Sequence, residues 1–468
     1  MSISVTNTLS GRKEPFETIE PGKVRMYVCG PTVYAQAHIG HAMSAIVFDV
    51  IKRYLEYRGY EVVHAQNFTD VDDKIIQRAH ELGIPPERLA EQLIHEWLDE
   101  TAALNIQPAT VYPRATHEID TIITMVAELI ASGHAYPVEG GDVFYRVESF
   151  PGYGKLGHRT LDEMQAGARI EIDERKENPM DFAVWKAAKP GEPAWESPWG
   201  LGRPGWHIEC SAMVYDHLGG QVDIHGGGSD LIFPHHENEI AQSEAFCNCE
   251  PFARYWLHNG LLQLGGEKMS KSLGNLVTIR QLIEEGNAQS FRLLVLGSHY
   301  RSPLTFNAET LEAARRGLAR LSGAVRDFNP DQVPLSAPEH PLAAAAAETR
   351  ARFEQAMDDD FNTPVALAAL YDLARTINRE EDAGAPPEAV AWAQAQLLEL
   401  AGVLGLTLEA APNERAVAAE PFIELLLDVR RQLRQRKLWD LADAIRNDLE
   451  RLGVKVEDTP EGSLWRLE

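Results

Sequence analysis

Residues 24–59 read VRMYVCGPTVYAQAHIGHAMSAIVFDVIKRYLEYRG, and they decide the fold. VRMYVCG (24–30) has the length and apolar continuity of a buried strand. PTVYAQAHIG (31–40) turns the chain, and AIVFDVIKRYLEYRG (45–59) carries apolar residues at helical spacing. EVVHAQN (61–67) predicts a second strand, and TDVDDKIIQRAHELG (69–83) opens a second helix with Thr and Asp where N-caps belong. Alternating strands and helices predict an α/β fold with a parallel, Rossmann-like sheet.

Outward from this unit the pattern loosens between about residues 120 and 200 into a helix, short strands and the Pro/Gly/Trp-rich KPGEPAWESPWGLGRPG (189–205), which predicts an insertion in the sheet. VDIHGGGSDLIFP (222–234) and YWLHNGLLQL (255–264) return later strands, and 276–300 turns helical. From 308 the composition shifts to Ala, Leu, Arg and Glu at helical spacing, predicting a helical bundle to 405. After a linker rich in Ala, Pro and Glu come a basic helix, DVRRQLRQRKLWDLADAIRNDLERLG (428–453), and a β-like tail, VKVEDTPEGSLWRL (454–467).

A chain of 468 residues exceeds the size of one hydrophobic core, so several domains are expected. The 44% hydrophobic and 24% charged residues are ordinary globular values and exclude a disordered or fibrous chain. There is no apolar run of membrane-spanning length, and the first residues lack the apolar core of a signal peptide, so a soluble protein with a cytoplasmic address is expected. Four cysteines (Cys29, Cys210, Cys247, Cys249) are too few for a disulfide framework, and reduced thiols or metal ligands are expected. The net charge of −26 excludes a protein that coats nucleic acid non-specifically, so any RNA contact must be local.

His38-Ile39-Gly40-His41 lies where the loop enters the first helix, a position that favours anions. Its two imidazoles could hold a triphosphate, with Gly40 admitting the ligand to the backbone; a capping role is the plainer alternative. Far downstream, Gly265-Gly266-Glu267-Lys268-Met269-Ser270-Lys271-Ser272-Leu273-Gly274-Asn275 places two lysines between glycines. Cations on such a loop can follow the charge that grows on pyrophosphate in a transition state. A third set joins Tyr27-Val28-Cys29-Gly30-Pro31-Thr32, Gly205-Trp206-His207-Ile208-Glu209-Cys210-Ser211 and Asp223-Ile224-His225-Gly226-Gly227-Gly228-Ser229-Asp230, the last leading into Phe233-Pro234-His235-His236-Glu237-Asn238-Glu239. Pro234 suits the first turn of a helix, which would set His235 and Glu239 on one face. His225, His236 and Glu237 compete with them as ligands, and spacing alone does not exclude them. Cys247-x-Cys249 reads as incidental.

Together HIGH and KMSKS resemble the ATP-binding pair of class I aminoacyl-tRNA synthetases, and the third set closely resembles the cysteinyl-tRNA synthetases. The resemblance spans essentially the whole chain, most densely at 26–75 and 178–275. It implies that His38, His41, Lys268 and Lys271 serve catalysis, that His38, Gly40, His41 and Lys271 hold ATP, and that one zinc ion per subunit sits on Cys29, Cys210, His235 and Glu239. Thr32, Trp206 and Asp230 are the candidates for binding the amino acid. Two sulfurs, a nitrogen and an oxygen suit tetrahedral zinc, which explains how cysteine would be told from serine without editing. Mg would accompany ATP, with no dedicated protein site evident.

On this resemblance 1–120 and 206–264 are the halves of the catalytic domain, 121–205 the connective insertion, 265–307 the KMSKS loop and stem-contact region, 308–405 the bundle, and 415–468 the anticodon-binding domain. L-cysteine, ATP and tRNA(Cys) are the implied partners, with no membrane, and a monomer is expected. Met357-Asp358-Asp359-Asp360-Phe361-Asn362-Thr363-Pro364 matches the family's bundle. Arg430, Arg431, Arg434, Arg436 and Lys437, with Trp439 and Trp465, could contact unpaired bases and phosphate, the alternative being a solvated helix whose tryptophans fill a small core. One departure is Ala42-Met43 after HIGH, where the family often carries arginine, which puts any nucleotide or RNA contact there in doubt. Two rivals differ in chemistry: a mycothiol-type ligase joining cysteine to an amino sugar, disfavoured by residues 415–468, and a non-catalytic RNA-binding paralogue, disfavoured by intact HIGH and KMSKS.

Overall fold

The computed structural model describes residues 2–161, 163–164, 173–265, 267–268, 277–408, 414–459 and 462–467. The chain divides into two compact units, Met1–Leu408 and Glu409–Glu468. No helix among the described residues is long and apolar enough to cross a membrane.

Four parallel strands, β1 (Lys23–Val28), β2 (Glu61–Gln66), β3 (Val222–Gly228) and β4 (Ala253–Asn259), form the central sheet in the order β4-β3-β1-β2. Tyr27 stands opposite Ala65 on one side and His225 on the other. β3 and β4 are buried almost throughout, as strands covered on both faces must be. Helix α1 (Ile39–Tyr57) crosses from β1 to β2 and buries Ile46, Phe48, Val50 and Ile51. The chain leaves β1 for β2 on one side, and β3 lies on the other. The crevice outside the C-terminal ends of β1 and β3 is therefore the switch point at which open α/β sheets bind ligands. The backbones approach so closely there that a Cβ on Gly30 would lie 1.8 Å from the Asn67 carbonyl oxygen.

Between β2 and β3 the chain builds helix Ile119–Ala131 and a four-stranded antiparallel sheet, Ala135–Pro137, Val143–Tyr145, Phe182–Ala187 and Gly202–Pro204. Val126, Val143, Tyr145 and Trp185 give it a core of its own. After β4 come helices Ile279–Glu284 and Ala288–Leu296, then Ala308–Gly323, Pro341–Asp358, Thr363–Asp382 and Pro387–Val403. Leu321, Phe353, Leu370 and Leu397 join these four to the main core.

The acidic run singled out in the sequence is a joint rather than a ligand site. Asp358 accepts from the Tyr54 hydroxyl on α1 at 2.6 Å and pairs with Arg58, which caps the C-terminus of α1, while Asp359 pairs with Lys13. Asp360 takes the Thr6 N–H at 2.8 Å, the Tyr300 hydroxyl at 2.9 Å and Arg301 Nε at 2.9 Å. Three consecutive carboxylates thus tie the bundle to the hairpin of strands Ser4–Asn7 and Arg12–Pro15, to the end of α1 and to the 300–301 segment. Asp360 sits at φ +63°, a left-handed conformation a non-glycine residue adopts only when its surroundings demand it.

A second tie lies at the far end of the bundle. Arg292 and Asp49, both fully buried, meet at 2.8 Å, and Arg292 also donates to the carbonyls of Leu104, Asn105 and Leu404. Asp49→Ala would leave a buried guanidinium without its counter-charge, and we expect a loss of about 3–5 kcal/mol in urea unfolding. A loss under about 1 kcal/mol would show that the pair contributes little.

His64 on β2 is 6% exposed, and neither ring nitrogen has a hydrogen-bond partner among the described residues. Burial, helped by Lys52, lowers its pKa to about 3 from the ordinary 6.5. The folded ring stays neutral while the unfolded chain takes up a proton below pH 6.5, so stability is lost as pH falls from 6.5 toward 3. At pH 5 the loss from this one group should be about 2 kcal/mol. His64→Gln should flatten the pH dependence of urea midpoints by that amount, and an unchanged slope would clear His64.

Two expectations need correction. The basic segment 428–453, read as one helix, is two: Glu414–Gln435 and Trp439–Arg451, with the chain turning at Lys437, whose φ is +61°. The tail forms an antiparallel hairpin, Val454–Thr459 with Gly462–Leu467. Cys247 and Cys249, expected to be reduced, are joined to each other as a disulfide.

Candidate active site and metal centre

β1 ends at Val28, and its ladder continues one residue further through a hydrogen bond from Cys29 N–H to the Gly226 carbonyl at 3.1 Å. That fixes Cys29 at the rim of the switch-point crevice. Cys210 comes from helix α2 (Trp206–Leu218), packed over the same end of the sheet, and Glu239 from helix α3 (Glu237–Cys247). His235 lies in the helical turn that runs directly into α3 and shares a face with Glu239 four residues on, as the spacing predicts. Phe233 is extended and the backbone turns helical again from Pro234, so Pro234 opens the first turn as its ring suits.

These four side chains converge. Cys29 Sγ lies 3.9 Å from Cys210 Sγ and 3.6 Å from Glu239 Oε1, Cys210 Sγ is 3.5 Å from His235 Nε2, and His235 Nε2 is 3.0 Å from Glu239 Oε1. All four ligand atoms lie within 4.8 Å of one another. A second quartet, Cys29, His225, His236 and Glu239, meets the same criterion and shares two members. Cys, His and carboxylate donors all suit zinc, and the first quartet supplies two sulfurs, one imidazole and one carboxylate, the second one sulfur, two imidazoles and one carboxylate.

Burial and mutual contact shift the protonation of the first quartet in opposite directions. Burial opposes charge on Glu239, yet His225 and His235 bring its pKa to about 2. Burial opposes a proton on His235 too, but Glu239 and Cys210 lift that imidazole to about 10. A hydrogen bond from Cys29 is the largest influence bringing Cys210 down to about 6, while burial pushes Cys29 the other way. A metal ion held by these atoms would take the place of the His235 proton, since a ligating imidazole must be neutral.

The outer side chains orient the inner ones. His207 Nδ1 meets His235 Nδ1 at 2.9 Å, and Trp206 stacks on His235 with centroids 4.3 Å apart, leaving its own ring 37% exposed at the mouth. His225 Nε2 holds the second Glu239 oxygen at 2.8 Å, and His258 Nε2 holds His236 Nδ1 at 2.8 Å. Partners of this kind set the tautomer and direction of a metal-ligating imidazole. His207, His225 and Glu209, the last buried and bonded by the Thr69 hydroxyl at 2.9 Å, lie inside motifs already quoted. His258 was missed; its place at the C-terminal end of a parallel strand was the signal that could have found it.

On the other side of β1, His38 is the N-cap of α1. Its Nδ1 accepts from Gly40 N–H, His41 Nδ1 accepts from His38 N–H, and the two rings stack 3.8 Å apart. The capping alternative is thus realised in the structure. Both rings line a cleft with Thr32, Tyr34 and Trp97. Thr32 also lines the neighbouring cleft that holds Trp206 and His207, so it stands between the two. Asp230 is exposed in the turn after β3, its carboxylate lying across Gly228, and no contact joins it to the quartet. The backbone of Lys268 lies in the short strand Glu267–Lys268, whereas Lys271 falls outside the described residues.

Comparison with known proteins adds to this geometry. The family model described as tRNA synthetases class I (C) catalytic domain matches residues 15–316, a DALR domain matches 352–409, and a cysteinyl-tRNA ligase anticodon binding domain matches 420–466. A cysteine–tRNA ligase of Dehalococcoides mccartyi is 55% identical over 466 residues, covering 99% of each chain. The chain belongs to the cysteine–tRNA ligase family. A cysteine–tRNA ligase of Desulfitobacterium hafniense is 50% identical across 100% of both chains. Among solved structures, a Mycobacterium tuberculosis methionyl-tRNA synthetase shares the fold with a TM-score of 0.58 at 18% identity, over 85% of this chain and 96% of that one. An Agrobacterium radiobacter LeuRS–tRNA–LeuAMS complex gives 0.60 at 12%, over 86% and 88%. The match at 420–466 speaks against an amino-sugar ligase, and full-length likeness to ligases speaks against a non-catalytic paralogue.

Proposed function

We propose that the chain activates L-cysteine with ATP and transfers it to tRNA(Cys), with zinc held by Cys29, Cys210, His235 and Glu239. The convergence of these four side chains at the switch point carries the reading. Zinc in this donor set would bind the substrate thiolate directly, a bond a serine hydroxyl, still protonated at neutral pH, matches poorly. Tenfold steps of discrimination are worth about 1.4 kcal/mol each, so a ten-thousandfold preference needs about 5.5 kcal/mol. A coordinate bond supplies that without an editing site.

The rest of the step is positioning. The cysteine carboxylate is already a nucleophile toward the α-phosphorus of ATP, and no general base is needed. His38, Gly40 and His41 stand at a helix N-terminus that attracts phosphate, and Lys268 and Lys271 are assigned to the pyrophosphate as charge grows on it. Trp206 covers the amino-acid side, Thr32 bridges the two clefts, and Asp230 is assigned to the substrate ammonium. Mg accompanies ATP.

The anticodon is assigned to 415–468. Trp439 is 53% exposed, with the Arg434 guanidinium 5.9 Å from its ring centroid, a surface suited to stacking an unpaired base. Trp465, by contrast, is half-buried against the small core of that unit, and Arg430 is buried, so neither belongs to the reading surface. The domain boundaries given above, a cytoplasmic location and a monomeric state complete the proposal.

ATP–pyrophosphate exchange with each of the twenty amino acids tests it. We expect exchange with cysteine alone, lost on chelation and restored by zinc. Exchange that survives complete zinc removal would overturn the assigned role of the metal, and exchange with a different amino acid would overturn the substrate.

A further inference from the structure

Residues 277–279, which follow the second motif in sequence, are paired by their backbone with the stretch that opens the first. Ile39 N–H donates to the Val277 carbonyl at 3.0 Å, Ile279 N–H donates to the Ala37 carbonyl at 3.1 Å, and His38 and Thr278 stand opposite each other. The stretch that carries His38 is thus laddered to 277–279. Thr278 caps the helix that follows, and Arg280 on that helix reaches helix Pro86–Ala103. Its Nη2 is 3.7 Å from Glu96 Oε2 and its Nε 3.7 Å from Glu100 Oε1.

Glu96 and Glu100, one helical turn apart, share a face. Neither Glu100 oxygen accepts a hydrogen bond among the described residues, and the same holds for Glu96 Oε2, while Glu96 Oε1 takes Gln92 at 3.0 Å. At 3.7 Å the guanidinium is near enough to attract both carboxylates but too far to bond them. A buried carboxylate without hydrogen bonds is destabilising, so stability alone does not account for Glu100 at 4% exposure. Trp97, between the two acids, lines the cleft of His38 and His41 and sets its ring edge-on to His41 at 6.4 Å.

We propose that Glu100 is a positioning residue: by attracting Arg280 it sets the 277–279 segment against Ala37–Ile39 and so places His38 and His41 for the nucleotide. The inference rests on the adenylation reading above. Titration gives it a signature. Burial lifts the Glu100 carboxyl to about 7, against the pull of Arg280 from the facing helix and with the push of Glu96 and Asp99 from its own; His41 faces the same helix through Trp97. Above pH 7 the charged carboxylate attracts Arg280 fully, and below it the attraction weakens.

The test is ATP–pyrophosphate exchange with the full-length, zinc-replete chain and cysteine, from pH 6 to 8.5. The unmodified chain should show KM for ATP falling as pH rises through about 7. Glu100→Gln should raise KM for ATP at pH 8 about five- to tenfold and remove that inflection, leaving KM for cysteine and zinc content unchanged. Arg280→Gln, at a side chain 46% exposed and so tolerated by the fold, should reproduce both effects if Glu100→Gln folds poorly. Wild-type KM for ATP with the inflection intact in either folded variant would overturn the proposal while leaving adenylation standing. No exchange by the unmodified chain would remove the adenylation reading and this inference with it.

Discussion

Cys210→Ser is expected to lose cysteine activation and zinc together. The Cys210 Sγ lies 3.9 Å from Cys29 Sγ and 3.5 Å from His235 Nε2, and Cys210 itself is 1% exposed. A hydroxyl at that position stays protonated, is a hard donor where a soft one is needed, and leaves a three-ligand site. Since loss of a mere orienting partner already costs about 10–100-fold in metal affinity, loss of a direct ligand should cost more than about 100-fold. Zinc content by atomic absorption and cysteine-dependent exchange should fall in parallel, while far-UV circular dichroism stays native. Full zinc content in this variant would take Cys210 out of the centre and shift weight to Cys29, His225, His236 and Glu239.

Removing residues 409–468 should separate the two half-reactions. Unit Met1–Leu408 holds the parallel sheet, the quartet, both clefts and the bundle, with a continuous core of its own. The deleted unit has a separate small core of Ile423, Leu427, Leu449, Val454 and Val456. Adenylation should therefore survive, with exchange within about twofold of the full chain. Charging of tRNA(Cys) depends on a second contact that raises the effective concentration of the acceptor end, and losing such a contact typically costs about 10²–10⁴-fold. Undiminished charging would put anticodon recognition elsewhere. Lost exchange, with a lowered melting temperature, would show that the C-terminal unit supports the fold of the first.

Local readings succeeded where a physical cause is local. β1, α1 and β2 are legible because apolar spacing reports how a segment is buried, and Asp72 caps the helix Asp73–Leu82 as its side chain allows. Where the cause was local the spacing held, as with His235 and Glu239 four residues apart on one helical face. Local readings failed where a neighbour in space decides. The segment 428–453 has unbroken helical periodicity, and its break at Lys437 was not visible in that spacing. His258 was invisible because its role is set by His236 and Thr8, 22 and 250 residues away in sequence.

By itself the sequence determined the fold class, the order of its parts and the chemical inventory of the site: two thiols, a set of imidazoles, a carboxylate and two phosphate-attracting motifs. The fold class follows from residue type and short-range spacing, and the site's inventory from the resemblance of its motifs to a known family. Only the tertiary structure decided which of them meet. Cys29 and Cys210 are separated by 181 residues and come within 3.9 Å because β1, which ends at the switch point, and helix α2 pack into one core cluster. Strand order and register are non-local properties, set by burial across the whole core, and short-range spacing does not encode them.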